Sequence, residues 1–152
     1  GGAASVVPVS LLAGSGPEEA ALKTWCTAHG LADRVHFTGF MPDVLPTLHA
    51  LDAYVMASDT EGFPVALLEA MGTGLPCLVS DFSSAREIIA DGENGLVFQR
   101  GDIRHLVEAI ADCLESPHKR LEWGAVARET VMQGFTLDQT VALFAATYHS
   151  LI

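Results

Sequence analysis

The sequence predicts an α/β fold: a doubly wound parallel sheet with helices on both faces. Three observations point to it. Short apolar runs alternate with helix-length segments along the 152 residues. Turn and helix-start signals separate them, such as Pro-Glu-Glu at 17–19 and Asp-Gly-Glu-Asn-Gly at 91–95. The chain is 49% apolar and long enough for one domain with a sizeable core.

The elements follow in order. VVPVSLLAG (6–14) predicts a strand that ends in a glycine turn. Residues 17–29 predict a helix, with proline at its start and acids in its first turn, where they suit the helix dipole. RVHFTGF (34–40) predicts a strand, and a short helix over 43–50 comes next. DAYVMAS (52–58) is the third strand, followed by a turn and a helix within EGFPVALLEAMGTGLP (61–76). LPCLVSD (75–81) is the fourth strand, and 84–90 a helix. LVF (96–98) is a short fifth strand, and helices near 102–115, 117–132 and 136–151 close the chain. No internal repeat, low-complexity tract or linker interrupts it, so residues 1–152 are expected to form a single domain.

Composition excludes several classes of function. The formal charge is −11. That argues against nucleic acid as a main partner, because a phosphate backbone needs a basic footprint. It argues equally against electrostatic docking on anionic lipid. No apolar run approaches bilayer-spanning length, and the opening GGAASVVPVS has no basic n-region of a signal peptide. Three widely spaced cysteines form no CxxC pair, which points to a reducing, cytoplasmic compartment rather than a disulfide framework or a zinc site.

In doubly wound folds, ligands sit beyond the carboxyl ends of the strands. The loops of interest are therefore Gly14-Ser15-Gly16, Gly39-Phe40-Met41, Ser58 to Phe63 and Asp81 to Ser84. The third carries Glu61, and the apolar helix after it carries Glu69 eight residues on. Each glutamate has two readings. Glu69 is either a solvent-facing acid on a mostly buried helix or a cleft acceptor for paired ligand hydroxyls, which match a carboxylate's two oxygens. Glu61 either compensates the helix dipole, worth about 0.3–1 kcal/mol, or borders a ligand. Gly62 lets the backbone pass close to a ligand, and Pro64 suits a first helical turn. The amides of Phe63, Val65 and Ala66 are then expected to be free donors, and a helix start with free amides takes phosphate. Carboxylate, glycine turn, amide-rich helix start and second carboxylate together fit a phosphorylated sugar.

EGFPVALLEAMGTGLP closely resembles the E-x7-E motif of the retaining, GT-B-fold glycosyltransferases of family 4, or group 1. LLAGSGPEEAALK, LADRVHFTGFMPDVLPTLHALDAYVMAS and LVSDFSSAREIIADGENGLVFQRGDIRHLVEAI resemble the family's glycine-proline loop, base loop and donor-domain tail. The likeness runs from about Val6 to Ile152 and implies the Rossmann-like C-terminal half of a GT-B fold. It implies roles position by position. Glu61, the candidate catalytic residue, lies by the donor sugar and its phosphate, contacting and orienting the sugar rather than forming a covalent intermediate. Glu69 binds the ribose hydroxyls. Gly62, Phe63, Pro64 and Val65 supply the backbone that contacts phosphate and sugar. Gly39, Phe40 and Met41 hold the base, or form an ordinary strand-end turn. Gly14 and Gly16 match the glycine loop, or serve the turn alone.

The resemblance also implies what this sequence does not contain. The family carries a strand and helix with an Arg and a Lys for the donor diphosphate before the segment that matches VVPVSLLAG, and an N-terminal acceptor domain before that. The chain is therefore expected to be a donor domain truncated at its N-terminus, with little or no transferase activity alone. In the family's strand order of 3-2-1-4-5-6 the absent strand is central. Its loss leaves two strands with unpaired inner edges, so the sheet is expected to be gapped, rearranged or completed by a partner, self-association included. The expected substrate is a nucleotide diphosphate sugar, with no cofactor and no metal. Membrane association, peripheral to the cytoplasmic face, would belong to the missing half. Two alternatives stand beside this reading: a non-catalytic nucleotide-sugar-binding module, and a GT-B relative such as a sugar epimerase or phosphorylase.

The remaining chemistry-bearing residues are expected to be structural. The six histidines are scattered without metal-ligand spacing. Trp25 and Trp123 are expected to pack, Cys77 to behave as a small buried hydrophobe, and Ser58, Asp59 and Thr60 to be solvated.

Overall fold

The computed structural model describes residues 7–151. It divides into two compact units, Gly1–Val44 and Leu45–Ile152.

The first unit holds β1 (Ser10–Ala13), α1 (Glu19–Ala28) and β2 (Val35–Gly39). β1 and β2 pair in parallel, from Ser10 against Val35 to Ala13 against Gly39, with a register shift after Leu12. β1 starts four residues later than the sequence predicts, and Val6 lies outside the described residues. All four β1 residues are exposed.

The second unit holds α2 (Leu45–Leu48), β3 (Tyr54–Met56), α3 (Val65–Gly72), β4 (Cys77–Ser80), α4 (Ala85–Ile88), β5 (Gly95–Phe98), α5 (Ile103–Glu115), α6 (Pro117–Gly134) and α7 (Leu137–His149). Its sheet is parallel, in the order β3-β4-β5. β4 is the central strand, and all four of its residues are buried. That is why Cys77-Leu78-Val79 reads as a continuous apolar run rather than an alternating one. Leu78 packs with Phe98, Cys113 and Trp123, and Ala53, Leu96, Leu106 and Ile110 close around them. The Trp123 indole N–H donates to the Gly92 carbonyl at 2.9 Å, so the polar edge of this buried ring is satisfied.

Local chemistry sets the helix ends. Asp102 caps α5 by accepting from the His105 amide at 3.0 Å. Pro117 opens α6. Thr136 and Gln139 form a capping box at the start of α7. α3 packs against α6, β3 and β4 and buries Leu67, Leu68, Ala70 and Met71. Its remaining stripe, Val65, Ala66 and Glu69, is exposed.

Among the described residues β1 pairs only with β2, and β3 pairs only with β4. The five strands thus form two sheets rather than one continuous sheet. Two expectations about single residues change. Trp25 is 52% exposed and stacks on His29 with ring centroids 3.9 Å apart, instead of packing into a core. The helix expected from residue 17 starts at Glu19, after a turn over Pro17 and Glu18.

Candidate functional site

The predicted site residues fall in both units. In the first, Gly14 and Gly39 are brought together. The Gly14 amide donates to the Gly39 carbonyl at 2.9 Å, and both residues have positive φ, +110° and +68°. A side chain is strained in that backbone conformation, so both positions need glycine for the turn itself. Gly16 accepts from the Glu19 amide at the entry to α1 and has ordinary φ. Phe40 is 79% exposed, and Met41 is half-buried.

In the second unit, Glu61, Gly62, Phe63, Pro64, Val65 and Glu69 share one loop and helix at the carboxyl end of β3. Glu69 is exposed, on the open stripe of α3. Among the described residues its carboxylate has no hydrogen-bond or ion-pair partner. Both glutamates act on one phenol. The Tyr54 hydroxyl is pushed up to about 12, first by burial, then by the fields of Cys77, Glu61 and Glu69.

The helix start differs from expectation in one donor. Pro64 is the N-cap, at φ −81° and ψ 76°. This is inverse γ-turn geometry, and the Val65 amide donates back to the Phe63 carbonyl at 2.9 Å. Val65 therefore offers no free N–H. Among the described residues the amides of Phe63 and Ala66 make no such bond.

Glu61 is half-buried and held in place. The Ser58 hydroxyl donates to Glu61 Oε1 at 2.7 Å. The Ser80 hydroxyl, at the end of β4 and 1% exposed, donates to the Ser58 carbonyl at 2.6 Å. The Ser84 hydroxyl approaches the Glu61 carbonyl at 3.5 Å. The Arg100 guanidinium donates to the Asp59 carbonyl at 2.6 Å, and the Arg100 amide donates to Asp81 at 2.7 Å. The loops after β4 and β5 thus fix the loop after β3 at several points. Solvation was the expectation for Ser58, and its bond to Glu61 corrects that. Neither Ser80 nor Arg100 is among the residues that the sequence marks for the site. One signal was present: β3 and β4 both run out into Ser-Asp, at 58–59 and 80–81.

Other groups stay structural. The three cysteines are free and buried, and burial is the first cause that raises the Cys77 and Cys113 thiols. Among the described residues no group of three or more His, Cys, Asp and Glu side chains is arranged to hold a metal ion. No helix there is long and apolar enough to cross a membrane.

Comparison with known proteins gives these residues a context. The family model for glycosyl transferases group 1 matches residues 7–130. The chain belongs to that family. It is 34% identical over 131 residues to the lipopolysaccharide core biosynthesis mannosyltransferase LpcC of Rhizobium leguminosarum bv. viciae, covering 86% of this chain and 37% of that protein. It is 31% identical over 144 residues to a GDP-mannose-dependent alpha-(1-6)-phosphatidylinositol monomannoside mannosyltransferase of Mycobacterium tuberculosis, covering 89% of this chain and 37% of that protein. The crystal structure of Anabaena Alr3699/HepE in complex with UDP matches with a TM-score of 0.88 and 27% identity, over 94% of this chain and 41% of that one. The α/β fold is therefore that of GT-B glycosyltransferases, and the chain spans less than half the length of these relatives.

Proposed function

We propose that this chain is the donor-binding domain of a retaining family 4 glycosyltransferase that moves a hexosyl group from a nucleotide diphosphate sugar to an acceptor. The observation that carries this reading is the loop and helix after β3. One carboxylate there accepts from the Ser58 hydroxyl, and a second stands unpaired among the described residues on an open helix stripe two turns on. Glu69 accepts from the two ribose hydroxyls, and the free oxygen of Glu61 meets the donor sugar. The Phe63 and Ala66 amides face the phosphate. Membership of the group 1 family and the likeness to a structure solved with UDP support this assignment.

In the reaction, the bond from the anomeric carbon to the diphosphate oxygen breaks and one to the acceptor oxygen forms. The acceptor hydroxyl gives up its proton to the departing diphosphate or to solvent, and the nucleoside diphosphate leaves. Helix-start amides stabilise charge that develops on the diphosphate, without a metal. Residues of this chain do not match the family's diphosphate-binding Arg and Lys, so these 152 residues alone transfer little or no sugar.

The test is titration of the chain with UDP, GDP and ADP and their sugar conjugates, followed by NMR chemical shifts. Shifts centred on residues 61–69, for one base over the others, support the reading. Absence of shifts at millimolar ligand counts against it.

A further inference from the structure

We propose that Ser58 and Ser80 form a hydroxyl relay that positions Glu61 for the donor sugar. This rests on the donor-site reading above and adds residues that work through Glu61 rather than on the substrate.

The geometry is directional. The Ser58 hydroxyl spends its one proton on Glu61 Oε1 at 2.7 Å. Among the described residues Glu61 Oε2 accepts no hydrogen bond, which leaves it available to a ligand hydroxyl. Ser58 sits in a loop, and a loop serine alone would not hold a rotamer firmly. Its backbone is fixed by the Ser80 hydroxyl, which donates to the Ser58 carbonyl at 2.6 Å. Ser80 is 1% exposed and lies at the end of the fully buried strand β4. A buried hydroxyl needs a partner, and this one finds it in the neighbouring loop rather than in its own strand. The Met56 carbonyl at 3.4 Å is a distant second. Arg100, from the loop after β5, holds Asp59 between the two ends of the relay. The rigid core of the sheet is thus connected to the Glu61 carboxylate through two hydroxyl bonds, which is how a precise site is supported by its surroundings.

Positioning predicts a selective loss. The carboxylate is aimed at the sugar, so the relay governs the extra affinity that the sugar adds to the bare diphosphate. The experiment compares the wild-type chain with Ser58→Ala, Ser58→Thr, Ser80→Ala, Glu61→Gln and the Ser58→Ala/Glu61→Gln double variant. Affinities for UDP, GDP and ADP and for their sugar conjugates are read by NMR titration. The expected result is a sugar increment lowered about tenfold in Ser58→Ala and Ser80→Ala, the size of one lost charge-assisted hydrogen bond. Bare diphosphate affinity stays within about twofold on the same scale. Ser58→Thr, which keeps the hydroxyl, retains the increment, and Ser58→Ala adds nothing to Glu61→Gln.

The proposal is overturned if Ser58→Ala keeps the full increment, if it weakens both ligands equally, or if its effect adds to that of Glu61→Gln. Ser58 is half-buried, so its variants keep the test open should Ser80→Ala fail to fold. A wild-type chain that binds no nucleotide overturns the donor-site reading and the sugar-directed role together. The side-chain couplings of Glu61 then report the relay separately: averaged couplings in Ser58→Ala support the hydroxyl hold, and unchanged couplings refute it.

Discussion

Gly124 lies inside α6 where that helix crosses the turn that follows α3, and replacing it with alanine tests how α3 is held. Helix propensity alone predicts that Gly124→Ala stabilises the chain by about 1 kcal/mol. The structure predicts the opposite sign. A Cβ at 124 enters the van der Waals shell of the Gly74 carbonyl oxygen and comes 2.9 Å from the Gly74 carbonyl carbon. These are backbone atoms, so no side-chain rotation relieves the overlap, and Gly74 itself is fixed at φ +84°. Overpacking of this kind costs about 1–3 kcal/mol, with a backbone partner placing it at the upper end. After the propensity gain is set against it, the variant is about 2 kcal/mol less stable. For a chain of this size that lowers the melting temperature by about 4–8 °C. Thermal melts followed by far-UV circular dichroism measure it. Gly134→Ala is the control: it is also in α6, but nothing lies within 4 Å of its added Cβ. It should melt at or slightly above wild type. A Gly124→Ala chain as stable as the control would refute the close approach of α6 to the turn after α3.

Two further predictions concern buried titratable groups. Cys77 and Cys113 are both 0% exposed, and burial raises both thiols, so a thiol-specific reagent should label them far more slowly in the folded chain than in urea; equal rates would contradict their burial. Tyr54 is raised from 10.0 to about 12, so its contribution to stability is whole below pH 10 and lost as pH rises through about 12. In a Tyr148→Phe chain, where Tyr54 is the one tyrosine left, phenolate absorbance should develop around pH 12, and a midpoint near 10 would contradict its burial.

The order and type of every described element could be read from the sequence, because each apolar run is bounded by its own turn chemistry. β4 is the clearest case: Leu78 and Val79 are apolar on both sides because both faces of the strand are covered. Strand ends were less legible. β3 stops at Met56 because its ladder extends only as far as Val79 offers a partner, and nothing in DAYVMAS marks that end. The two motif glutamates were found because they sit eight residues apart on one continuous segment. The groups that hold Glu61 were not, because the Ser80 hydroxyl reaches back 22 residues and the Arg100 guanidinium 41. Such bonds depend on which strands are neighbours, which the local pattern does not state. The Val65 amide departs from the sequence expectation for a local reason. Pro64 takes the inverse γ-turn conformation that its ring favours, and this turns the next N–H inward before the helix begins.

The most direct test of the central claim concerns Glu69 and the ribose. The diphosphate of the preferred base is compared with its 2′,3′-dideoxy analogue, on the wild-type chain and on Glu69→Ala, by NMR titration. If Glu69 accepts from both ribose hydroxyls, wild type binds the dideoxy analogue about tenfold or more weakly, and Glu69→Ala binds the two ligands alike. Equal affinity of the wild-type chain for both would show that Glu69 is an ordinary solvent-facing acid and that the donor site has been placed wrongly.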